Sequence, residues 1–109
     1  MSNNNQSQIY SNDPQSMQQK YERWHSLYQK QLAAQKEWLE AEALRQELQT
    51  YYLDAQWMQD READLPLDYS GEAHSIFSED TLWNMITEQD ELARKWIRLG
   101  INTLDNKPL

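Results

Sequence analysis

A chain of 109 residues with 39% hydrophobic content can form one small domain with a modest core. Its net charge of −8 disfavours direct binding to a phosphate backbone, and the absence of cysteine excludes disulfides and thiolate chemistry. Mean hydropathy of −1.03 leans towards disorder, but five Trp and six Tyr supply rings that bury about 150–250 Å² each, enough for a helical core.

Residues 1–13 are rich in Asn, Gln and Ser and read as a disordered polar tail. Asp13-Pro14 is a helix start, with Asp as N-cap and Pro at the first helical position. From Gln15 to Leu65 there follow 51 residues without glycine or proline, dense in strong helix formers. One helix over about 47 of them would span roughly 70 Å, against a radius of gyration near 13 Å for a compact domain of about this size. Trp24, Gln31, Trp38, Arg45 and Tyr52 hold one heptad position of a seam, and Leu27, Ala34, Ala41, Leu48 and Ala55 the other. Tyr21 and Tyr28 flank one side of that seam, with Leu32 and Leu39 further round. Leu44, Tyr51 and Met58 flank the opposite side. A swap of sides near residues 39–45 predicts two helices, about 14–40 and 43–62.

Leu65-Pro66 ends the helical pattern, Asp68-Tyr69-Ser70-Gly71 reads as a turn, and 63–78 forms an acidic loop. Ser78 is the expected N-cap of a last helix over 79–99. Its apolar stripe is Leu82, Trp83, Ile86, Ala93, Trp96 and Ile97, and Gly100 follows as its C-terminal glycine. Residues 101–109 read as a tail. The expected fold is all-α: a small antiparallel bundle of about three helices within 14–100, two long and one C-terminal. One long curved helix plus a C-terminal helix is the second choice.

Tyr51-Tyr52, Gln56-Trp57, Asp60 through Leu65-Pro66, Ser78-Glu79-Asp80 and Leu82, and Glu88 to Leu92 resemble a family of small bacterial proteins of unknown function. Its pattern is a YY…W…D…E…LP block, an acidic turn, and a final helix opening Ser-Glu-Asp. The resemblance covers about residues 45–95 and implies an all-α bacterial protein, with no activity attached. The acidic turn is shorter here, and Glu72, Ala73 and His74 stand where the family pattern has a basic dipeptide and a glycine.

Asp60, Glu62 and Asp64 alternate like the first ligands of a calcium loop, but Leu65 and Gly71 stand where an EF-hand needs Gly and Glu. A looser set of Asp60, Asp64, Asp68 and His74 reads better as solvated acids, so no metal and no cofactor are expected. There is no nucleophile motif and no phosphate loop, and His25 reads as a surface residue, so an enzyme is not expected. Trp24, Trp38, Tyr52, Trp57, Trp83 and Trp96 could stack on bases or build a core. Core is favoured for most of them, because stacking platforms come with basic grooves.

Charge is local. Residues 46–80 set Arg61 against nine carboxylates for a net −8, whereas 20–45 balance at +1. The expected function is a non-enzymatic protein–protein interaction module using an aromatic helix face. Its expected partner-binding residues are Tyr51, Tyr52, Trp57, Asp60, Glu62 and Asp64, and it could also self-associate. The alternative is an acidic mimic occupying a basic, nucleic-acid-binding surface of its partner. No apolar stretch reaches the roughly 18 residues needed to cross a bilayer and no signal peptide is visible, so a cytoplasmic protein without membrane contact is expected.

Overall fold

The computed structural model describes residues 13–106. Residues 1–12 of the expected tail over 1–13, and the last three positions, 107–109, lie outside them. Three helices and no strand occur among the described residues: α1 Pro14–Leu53, α2 Ala55–Glu62 and α3 Thr81–Asp105.

The start of α1 is the one the sequence announces. Asp13 Oδ2 accepts from the Ser16 amide at 3.2 Å, satisfying one of the free first-turn donors, and its carbonyl accepts the first helical bond from the Met17 amide at 3.0 Å. The expected break between residues 40 and 43 does not occur, because α1 runs through it for 40 residues, about eleven turns. Ala41, Glu42 and Ala43 are good helix formers, and Glu42 is tied to Arg45 one turn on, so nothing local opposes the helix there. The chain does divide at this point into two compact units, residues 1–41 and 42–109.

The backbone break comes instead at Asp54, a single extended residue with φ −85° and ψ 153°. Its carboxylate accepts from the Gln56 amide at 2.9 Å, so it caps α2 as it interrupts α1. The end of α2 is a Schellman turn, in which the Leu65 amide donates to the Asp60 carbonyl and the Asp64 amide to that of Arg61. Its left-handed residue is Asp64, with φ +52°, where glycine is commonest. The turn closes the helix before Pro66 is reached.

The loop to α3 is held by short-range turns. Ser70 Oγ accepts from the Glu72 amide and Ser75 Oγ from the Phe77 amide, each at 3.1 Å, and Gly71 takes φ +86°. The last helix starts at Thr81 with Asp80 in the cap position, so Ser78 is not its N-cap. Ser78 sits in the preceding turn, donating its amide to the Ser75 carbonyl. Gly100 does not end α3, which continues to Asp105. A glycine costs only roughly 1 kcal/mol in a helix interior, and Ile97, Ile101 and Leu104 extend the apolar spacing past it.

Among the described residues of the first unit none is buried, and only Asp13, Ser16, Ala34 and Trp38 are half-buried. The second unit holds the two buried apolar side chains among the described residues, Trp57 (6% exposed) and Leu82 (2%). Leu82, Met85, Ile86, Gln89 and Ala93 form the covered stripe of α3. Gln89 Nε2 donates to Glu42 Oε1 at 3.0 Å and joins α3 to the last part of α1. Trp83, Trp96 and Ile97, expected on the covered stripe, are exposed. Trp83 lies about 100° round the helix from Leu82, which takes it off that stripe.

Candidate interaction surfaces

Two aromatic groups differ in what they offer to solvent. The first surrounds Trp57. Asp54 turns the chain, so the first turn of α2 brings Trp57 back to Tyr52, whose ring meets it edge-on with centroids 4.8 Å apart. Trp57 Nε1 donates to the Ile76 carbonyl at 3.0 Å and pins the loop to the short helix. Arg61, one turn along α2, lies over the indole at 5.5 Å. Beside this group the Tyr51 hydroxyl donates to Asp60 Oδ2 at 2.7 Å, and Gln56 Nε2 donates to the same oxygen at 3.3 Å. Four of the six expected partner-binding residues, Tyr51, Tyr52, Trp57 and Asp60, are thus brought together, but as a clasp that closes the second unit. Trp57 is engaged by a tyrosine ring, an arginine and a carbonyl, and at 6% exposure it offers little to a partner. Glu62 and Asp64 are exposed, and the backbone of Asp64 ends the helix.

The clasp is reflected in its ionisation. Donation to the Asp60 carboxylate holds the Tyr51 hydroxyl above its ordinary value of 10.0, because ionisation would cost that hydrogen bond and set two anions together. Hydrogen bonds from Arg45, and secondarily from Gln89, hold the Glu42 carboxyl below its ordinary 4.5. Arg45 is correspondingly raised, and its second guanidinium nitrogen reaches Gln49.

The second group stands on the first turns of α1. Tyr21, Trp24 and Tyr28 recur at helical spacing and stack along it, with centroids 5.9 Å apart for Tyr21 and Trp24 and 5.1 Å for Trp24 and Tyr28. His25, exposed as expected, adds a tilted contact to Tyr21 at 6.1 Å. The three principal rings are 56, 51 and 40% exposed, and Met17, Leu27 and Leu32 beside them are exposed too. Core is the favoured reading for most of the six aromatics, and Trp24 is one that departs from it, with half of it facing solvent. The spacing signal is legible in the sequence, but spacing alone does not say whether such a stripe is covered or exposed.

An open groove of about 570 Å³ lies at the start of α3, with His74, Ser78, Glu79, Asp80, Asn84 and Glu88 among its lining residues. No group of three or more His, Asp or Glu side chains among the described residues could hold a metal ion, so Asp60, Asp64, Asp68 and His74 are not gathered into a site. Among the same residues no helix is long and apolar enough to cross a membrane.

The family described as domain of unknown function (DUF4298) matches residues 15–99. The chain belongs to this family. The DUF4298 match takes in nearly all of α1, then α2, the loop and most of α3, a wider span than the 45–95 block that carries the sequence resemblance. Both the Trp57 clasp and the exposed Tyr21–Trp24–Tyr28 ladder lie inside it. No curated protein and no solved structure matches the chain.

Proposed function

We propose that this DUF4298 member is a non-enzymatic interaction module that engages a protein through the aromatic face of α1 around Trp24. The observation that carries the reading is the stacked ladder of Tyr21, Trp24 and Tyr28, half exposed on a helix that buries nothing. Contiguous exposed apolar surface of this kind marks interaction sites, and Trp and Tyr dominate the energetics of such interfaces. The reading moves the expected partner surface from the Trp57 clasp to the ladder, because the clasp rings are occupied within their own unit. For the second unit we propose antiparallel bundle packing of α3 on the end of α1, supported by the Gln89–Glu42 contact.

The test is capture from lysate with the full chain and its Trp24→Glu variant, washed at low and high salt. The reading expects a partner that survives the high-salt wash and is lost with Trp24→Glu. Equal capture by both forms would remove the ladder from the account.

A second reading has its own support. Residues 46–80 carry net −8, and Glu62, Asp64, Asp68, Glu72, Glu79 and Asp80 are all exposed. Such a surface suits a basic partner, as an acidic mimic would. Binding of that kind falls steeply with ionic strength and ignores Trp24→Glu, so the same experiment separates the two.

A further inference from the structure

Met17, Tyr21, Trp24 and Tyr28 follow one another at intervals of four, three and four residues, a spacing that reads the same in both directions along α1. An antiparallel copy of the same helix therefore meets each of these side chains with another member of the set. Met17 faces Tyr28, and Tyr21 faces Trp24, twice over about one twofold axis. We infer that the occupant of this face is a second copy of the chain, docked antiparallel along residues 17–28. The inference rests on the reading of the ladder as an interaction surface and names its partner.

Area and charge both support it. The three rings would offer about 150–250 Å² each if fully exposed, so at roughly half exposure, with Met17, Leu27 and Leu32, one copy presents about 500 Å². Two copies then bury about 1,000 Å² together, the lower bound for a specific interface. In this register the flanking pairs are Lys20 with Leu27 and Gln18 with His25, so no like charges meet across the seam. Glu22, Arg23 and Lys30 point away from it, where they remain hydrated.

Sedimentation equilibrium of the purified full chain tests this, with circular dichroism to verify helicity in every variant. The wild type is expected to approach twice 13.1 kDa as concentration rises. Trp24→Glu should weaken the dimer at least about tenfold, as loss of a central aromatic anchor does, while Trp83→Ala, at an exposed indole off the face, should leave it intact. The register has its own test. The double variant Gln18→Lys with His25→Lys sets cations against each other and should weaken the dimer, whereas Gln18→Glu with His25→Lys should not. A wild type that stays monomeric, a Trp24→Glu dimer of unchanged affinity, or equal behaviour of the two double variants would overturn the inference. A monomeric wild type leaves the broader interaction reading standing, and that reading falls separately if lysate capture does not depend on Trp24.

Discussion

Trp57 and Trp24 are the same side chain in opposite situations, and their neighbours explain the difference. Trp57 has a carbonyl for its ring nitrogen, a tyrosine ring set across it and an arginine above it, so it is spent on holding the second unit together. Trp57→Phe keeps most of the apolar bulk but leaves the Ile76 carbonyl without its donor. We expect a loss of about 1–3 kcal/mol in denaturant unfolding with helix content retained. The Tyr51–Asp60 hydrogen bond gives a pH signature. A hydroxyl whose pKa is raised in the folded state contributes stability that is whole below its ordinary value of 10.0 and disappears as pH climbs through the raised one. The melting difference between wild type and Tyr51→Phe should therefore be constant at neutral pH and vanish in strong alkali. A difference that grows with alkali would exclude the bond. None of these pairings was readable in advance. Spacing puts Tyr51, Tyr52 and Trp57 near one another, but which ring goes inside depends on Asp54 breaking the helix between them.

That break shows how far local chemistry carries at the scale of elements. The start of α1 was legible because Asp13-Pro14 combines two signals at one place. Asp54 was not, since a lone Asp between Leu53 and Ala55 looks like any solvated acid on a helix. The swap of apolar sides near residues 39–45 was real in the sequence, and it falls where the two units divide, but the backbone had no reason to break there. Two substitutions test the helix ends. Asp64 holds a left-handed conformation that glycine adopts freely, so Asp64→Gly is expected to stabilise by about 0.5–1 kcal/mol. Gly100 sits inside α3 with nothing within 4 Å of an added Cβ, so Gly100→Ala should raise stability by about 0.4–1 kcal/mol. Thermal unfolding reads both. A destabilised Gly100→Ala would mean that the helix ends at Leu99, as its glycine first suggested.

Across the whole molecule, composition predicted an all-helical protein with aromatic rings as its main apolar resource, and three helices without strands are what the described residues contain. Aromatic content could not say how the rings divide between interior and surface. Among the described residues only Trp57 is a buried ring, Trp38 and Tyr52 are half-buried, and Trp24, Trp83 and Trp96 are exposed. A chain this small has a modest core, and several of these rings stay at its surface. The DUF4298 match spans both kinds of ring and attaches no activity to either. The division of labour between Trp57 and Trp24 is the centre of the account, and oxidative footprinting read by mass spectrometry tests it in one measurement. In dilute protein Trp24 should oxidise rapidly and Trp57 slowly, and protection at higher concentration should fall on Trp24. Oxidation of Trp57 as fast as Trp24 in the dilute folded protein would contradict it.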